Sequence, residues 1–143
     1  MSRPLNIKKI CIKNSNDVAE LLMEEMRYLK REVAKVLLLT NKNILIKIVD
    51  IAYGGRNFAS LEPKEILYEA IQNGANKIIM VHNHPSGDPT PSTEDYRTND
   101  RIYEAANIIG ITLLDHIVIG DGKYKSLLYK ESKEGKENKN GAI

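Results

Sequence analysis

Three runs of almost continuous apolar residues, VAKVLLLT (33–40), NKIIMVHNH (76–84) and ITLLDHIVIG (111–120), do most to restrict what this chain can fold into. The first is too short for a buried helix and ends at the turn Asn41-Lys42-Asn43, so it reads as an inner strand, and the other two read as buried strands of the same kind. ILIKIVDIAY (44–53) follows the turn as a hairpin partner, until Gly54-Gly55 break it. Between the strands the period changes. Ser15 or Asn16 can cap a helix in which Val18, Leu21, Leu22, Met26 and Leu29 recur at three- and four-residue spacings. Pro63 suits the first position of a helix running through Asn73 and closed by Gly74, and Ser92 opens a long helix to about Ile109, with Gly110 as its stop. Asp121-Gly122 is a hairpin signal leading into a last short strand, KYKSLLY.

Strands that alternate with helices predict a mixed central sheet covered by helices on both faces. The class is α/β, bordering on α+β because the first hairpin is antiparallel. The 143 residues suit one domain, expected over residues 1–130, with residues 131–143 of the polar end KESKEGKENKNGAI as a disordered, charged tail. There is no internal repeat.

Charge narrows the partners. Twenty-one basic and 19 acidic residues leave a net charge of +2, too small for a polyanion-binding footprint, so direct nucleic-acid binding is not favoured. The one cysteine, Cys11, excludes an internal disulfide and a cysteine-rich zinc site. The N-terminal MSRPLNIKKICIKN lacks the apolar core of a signal peptide, and no apolar run approaches the roughly 18 residues of a membrane span. A soluble, cytoplasmic protein without membrane contact is expected.

The chemistry concentrates in VHNHPSGDPTPSTED (81–95). Successive side chains of a strand point to opposite faces, so His82 and His84 project together while Asn83 points away. Two imidazoles on one face can reach one ion, and Asp95, in the first turn of the following helix, can face back as a third ligand; three protein ligands and an open position describe a catalytic zinc site. Prolines and Gly87 stiffen the loop between them. A structural alternative stands beside this. In Ser92-Thr93-Glu94-Asp95 the aspartate occupies the acidic position of a capping box, and Ser92 would be the cap.

HxH, ten residues and an aspartate, with a serine three before it and a glutamate far upstream, resemble the JAMM motif of the JAB/MPN metalloprotease-like domains. "HNHPSGDPTPS", "REVAKVLLLTNKN", "EPKEI" and "GITLLDHIVIG" together resemble the bacterial RadC branch, over about residues 28 to 130. The resemblance implies a JAB/MPN fold with layering like that of cytidine deaminases. It also implies one Zn2+ on His82, His84 and Asp95, with Glu32 as acid/base and Ser92 holding the reacting oxygen. Asp50, in the neighbouring strand, is the competing carboxylate. His116 belongs to the resemblance too, as a residue that orients a ligand or lines the cleft, or as a satisfied core histidine. Asn83, Ser86 and Gly87 are expected to shape the loop, with Ser86 the better candidate for substrate contact.

Three functions compete. The resemblance implies a single-zinc hydrolase that cleaves an amide or isopeptide bond in a peptide or protein substrate. The RadC name carries an association with DNA repair, but larger members resemble this chain only after an N-terminal region of helix-hairpin-helix character. Only about 30 residues precede Glu32 here, so that module is expected to be missing. A non-catalytic MPN-type interaction module is the third, and such modules typically lack the ligands that this chain retains. A cytidine deaminase would need a paired-cysteine motif that Cys11 cannot supply, and an HNH nuclease shares only the letters. Oligomeric state is not legible.

Overall fold

The computed structural model describes residues 9–52 and 57–128. Helix α1 (Ser15–Met26) precedes the hairpin β1 (Ala34–Leu39) and β2 (Leu45–Ala52); a 3-10 turn (Phe58–Ser60) leads to α2 (Pro63–Gln72). Strand β3 (Lys77–Asn83), helix α3 (Thr93–Ile108), β4 (Thr112–Ile119) and β5 (Tyr124–Ser126) complete the order. Gly54-Gly55 and the C-terminal tail lie outside the described residues.

The five strands form one mixed sheet in the order β2-β1-β3-β4-β5. The expected hairpin is present, since β1 pairs antiparallel with β2, and β3 joins the other side of β1, also antiparallel. Only β3 and β4, which are connected through α3, run parallel. β1 is buried along its whole length because it has a strand on each side and helices on both faces. The chain is therefore an α/β protein with a mixed sheet between helices.

The faces hold separate cores. Val18, Ala19, Leu22 and Met26 of α1 pack on Leu37, Leu39, Ile79, Val81, Ile117 and Ile119. On the opposite face Ile66 and Ala70 of α2 and Ile102 and Ala106 of α3 pack on Val36, Leu38, Ile78, Met80 and Leu113. The alternation along β3 assigns Ile78, Met80 and hence His82 to the α2/α3 face.

Strand β4 departs from simple alternation. Ile78 pairs with Leu113 and Ile79 with Asp115, so Leu114 is an extra residue, a β-bulge. The bulge reverses the phase of everything after it. Asp115 turns to the α1 face, and His116, opposite Met80, joins the face that carries His82.

Asp115 is fully buried and explains why α1 starts where it does. Its carboxylate accepts from the hydroxyls of Ser15 and Ser126, each at 2.6 Å, and from the backbone N–H of His116 at 2.7 Å. Ser15 is thus drawn into the helix as its first residue, and the cap is Asn14, whose side chain accepts from the N–H of Asp17 at 2.9 Å. The expectation of a Ser15 or Asn16 cap is corrected by one residue or two. Leu29 lies beyond the end of α1 but still packs against its core.

Asp115→Ala would remove the buried acceptor of these three hydrogen bonds, and we expect it to cost about 3 kcal/mol of unfolding free energy in urea. Asp115→Asn, which keeps an acceptor, should cost much less. Burial holds the Asp115 carboxyl above its ordinary value although its three hydrogen bonds act to lower it. The folded state therefore keeps this proton to higher pH than the unfolded chain does. Its stabilisation is complete below the unfolded value and declines as pH rises through the folded one, a slope that Asp115→Asn should remove.

Candidate metal centre

Strand β3 ends at Asn83, so His82 is its last inward-facing side chain and His84 is the first residue of the loop. The N–H of His84 donates to the carbonyl of Ile119 at 2.9 Å, which extends the β3–β4 pairing by one residue and keeps both imidazoles on the same side. The loop is then pinned to the end of β4. Gly87 adopts φ 92°, and its carbonyl accepts from the N–H of Asp121 at 2.9 Å. Gly120 faces this loop so closely that a Cβ there would lie 2.3 Å from the Gly87 carbonyl oxygen and 2.8 Å from Cδ of Pro89. Gly120→Ala must displace the loop between His84 and Asp95. We expect a loss of about 1–3 kcal/mol in a thermal melt, together with weakened metal uptake.

Asp95 is placed by α3 itself. Ser92 caps the helix, its Oγ accepting from the N–H of Asp95 at 3.0 Å, while the N–H of Ser92 donates to Asp95 Oδ2 at 3.0 Å. The capping box expected from the sequence is therefore present, and it fixes the Asp95 carboxylate beside the two histidines. Asp95 Oδ2 lies 3.1 Å from His84 Nε2 and 3.4 Å from His82 Nε2, and the two ring nitrogens are 3.3 Å apart. A tetrahedral zinc with bonds of about 2.0–2.1 Å separates its ligand atoms by about 3.3–3.4 Å. The donor set, two imidazoles and a carboxylate, fits a metal in kind and in spacing.

The electrostatics agree. Burial works to raise the Asp95 carboxyl, but the His82 and His84 rings that face it outweigh burial and hold the group far below the usual carboxylate range. The hydrogen bond to Asp95 raises His84 above the ordinary histidine value, burial opposes this, and Glu32 adds to the rise. The site is thus already a place for positive charge. His82 is fully buried and the Asp95 side chain is 5% exposed, whereas that of His84 is 18% exposed, so access is from the His84 side.

Glu32 lies in the segment between α1 and β1, not at a helix end, and is half-buried. Three contacts fix it. Its Oε2 accepts from the N–H of Phe58 at 2.7 Å. On either side, the Asn83 amide accepts from the N–H of Val33 at 2.6 Å and donates to the carbonyl of Arg31 at 3.1 Å. Asn83 is buried, and its amide holds the Glu32 segment, whereas Ser86 is exposed in the loop. The Ser86 hydroxyl accepts from the N–H of Asp88 at 3.2 Å. Asp50 is on the other face. It pairs across the strands with Lys35, whose ammonium lies 2.5 Å from its Oδ1 and 2.8 Å from Glu25 of α1.

Two further residues pack against this group, and only one of them carries a signal in the sequence. Phe58, the only phenylalanine, lies flat on His82, with ring centroids 4.7 Å apart at 7°, and edge-on to His116 at 4.4 Å. It sits in a short 3-10 turn without periodicity, so nothing in the pattern announces it. Asn99 could have been noticed: it stands four residues after Asp95 on the buried stripe of α3 that continues through Ile102 and Ala106, where a polar residue calls for a partner. That partner is His116. The buried His116 ring bonds to His82 on one side, at 2.8 Å, and to Asn99 on the other, at 3.0 Å. The structure places His116, fully buried, directly behind the candidate ligand His82.

Among the described residues no helix is long and apolar enough to cross a membrane. Residues 12–134 match the family model of the RadC-like JAB domain. The chain is 52% identical over 120 residues to a UPF0758 protein of Clostridium tetani, covering 84% of this chain and 53% of that protein. It is 52% identical over 116 residues to one of Alkaliphilus oremlandii, covering 81% and 50%, and 50% identical over 119 residues to one of Caldanaerobacter subterraneus, covering 83% and 51%. The chain thus spans about half the length of these curated relatives. With the fold, the His82–His84–Asp95 group and these matches in agreement, the chain belongs to the RadC-like JAB domain family.

Proposed function

We propose that this domain is a zinc-dependent hydrolase of the metallopeptidase type, acting on an amide or isopeptide bond of a peptide or protein. The observation that carries this reading is the spacing of His82 Nε2, His84 Nε2 and Asp95 Oδ2, all three separations falling at 3.1–3.4 Å. When bound, zinc supplies Lewis acidity that brings the pKa of water to about 7.

The remaining chemistry is that of the chain. Glu32 takes a proton from the attacking water and delivers it to the leaving amine nitrogen as the C–N bond breaks. Its hydrogen bond from the Phe58 N–H occupies Oε2 and leaves Oε1 for this transfer. Ser92 accepts the helix N–H through an oxygen lone pair, and its hydroxyl hydrogen is directed to the oxygen of the scissile carbonyl as charge develops there. Ser86, exposed beside the site, contacts the substrate chain.

The test is hydrolysis of a panel of peptide and isopeptide-linked substrates by the chain purified without chelator. Cleavage should disappear on chelation and return with zinc. Cleavage that survives chelation, or none from a zinc-loaded protein against any amide, would turn attention to a binding role.

A further inference from the structure

We propose that Asn99 and His116 form a buried hydrogen-bond chain that sets the tautomer of His82 and thereby presents its Nε2 lone pair to the cation. The inference rests on the metal-site reading above and concerns residues that touch neither water nor substrate.

The two ligand histidines are held differently. His84 Nδ1 faces the backbone carbonyl of Asp88 at 2.9 Å. A carbonyl can only accept, so Nδ1 of His84 carries the hydrogen and Nε2 is left bare. For His82 the group behind the ring is another imidazole, which can donate or accept. His82 Nδ1 lies 2.8 Å from His116 Nε2, and His116 Nδ1 lies 3.0 Å from Asn99 Oδ1. The direction of this chain is decided at its far end. Asn99 Oδ1 only accepts, so His116 carries its hydrogen on Nδ1 and offers the Nε2 lone pair to the Nδ1–H of His82. His82 Nε2 then has no hydrogen and faces His84 Nε2 and Asp95 Oδ2 as a metal ligand must.

The environment leaves no substitute. His82 and His116 are 0% exposed and Asn99 is 5% exposed, so solvent cannot replace a missing acceptor. Phe58 lies flat on one ring and edge-on to the other, which opposes rotation of either. His116 reaches this position only because the bulge at Leu114 turns it to the face of His82. Without the His116 acceptor, a neutral His82 gains more by moving its hydrogen to Nε2, where Asp95 Oδ2 at 3.4 Å accepts it. That tautomer bonds the carboxylate and excludes the ion.

The test compares wild type with His116→Gln, His116→Leu and Asn99→Leu, each as the full chain. Long-range proton–nitrogen correlation spectra of the chelator-treated protein at alkaline pH read the tautomer of His82, and chelator competition reads zinc affinity. The wild type should show the hydrogen on His82 Nδ1. His116→Leu should move it to Nε2 and weaken zinc about 10- to 100-fold, the cost typical of losing a partner behind a metal ligand. His116→Gln, whose amide oxygen can accept from Nδ1–H, should restore most of that affinity. If His116→Leu does not fold, Asn99→Leu makes the same test from the other end of the chain.

Wild-type protein with the hydrogen on His82 Nε2 would overturn the proposal. So would a folded variant lacking the acceptor that binds zinc as tightly as wild type, or Gln and Leu variants equally destabilised with the tautomer unchanged. If wild type takes up no zinc, the hydrolase reading fails, and the spectrum of the metal-free protein alone decides the chain.

Discussion

His84→Ala is expected to abolish stoichiometric zinc binding while leaving the fold intact. The substitution removes one of three ligand atoms whose separations of 3.1–3.4 Å match one tetrahedral ion. Its cost to affinity should exceed the roughly 10- to 100-fold loss typical of removing a partner behind a ligand. The fold should survive because His84 lies in the loop after β3 with its side chain partly exposed, and truncation there opens no core cavity. Plasma mass spectrometry on protein purified without chelator should find about one zinc per wild-type chain and almost none in the variant. Equal zinc in both would remove His84 from the site. Because a proton on His84 competes with the metal, and Asp95 raises the affinity for that proton, wild-type zinc binding should weaken as pH falls through the raised His84 value.

Glu32→Gln should do the opposite, keeping the zinc and losing turnover by about 10²- to 10⁴-fold, the usual contribution of a positioned acid/base. The substitution is well matched. A glutamine oxygen can still accept from the N–H of Phe58, and the Asn83 contacts to Arg31 and Val33 are backbone contacts that no change at Glu32 removes. What disappears is the capacity to take a proton and return it. Once a cleaved substrate is in hand, kcat of the variant against wild type under saturating zinc is the measurement, and undiminished turnover would reject Glu32 as the acid/base.

Much of the fold was legible because its signals are local. The apolar runs, Pro63, Gly74, Ser92 and Gly110 report backbone preferences acting within a few residues, and helices and strands begin and end near them. The α1 cap was misplaced for a reason that is not local. Ser15 has the chemistry of a cap, but Asp115, 100 positions away, draws its hydroxyl into the core. The first turn then forms one residue earlier in the chain, on Asn14.

The candidate ligands were legible because i, i+2 alternation puts His82 and His84 on one side, and a capping box puts Asp95 in a first helical turn. Those are properties of short segments, and the sequence by itself determined them, along with the α/β class. Only the tertiary structure decided that Glu32 and not Asp50 shares the histidines' side, since that depends on which face of β2 meets α1 through Lys35. The same holds for Phe58 over His82 and for Asn99 behind His116, which come from separate elements. A single bulged residue in β4 sets the face of His116 and Asp115 together. Strand periodicity is so short that one inserted residue inverts every side chain beyond it, and an isolated sequence carries no mark of where a partner strand forces that insertion.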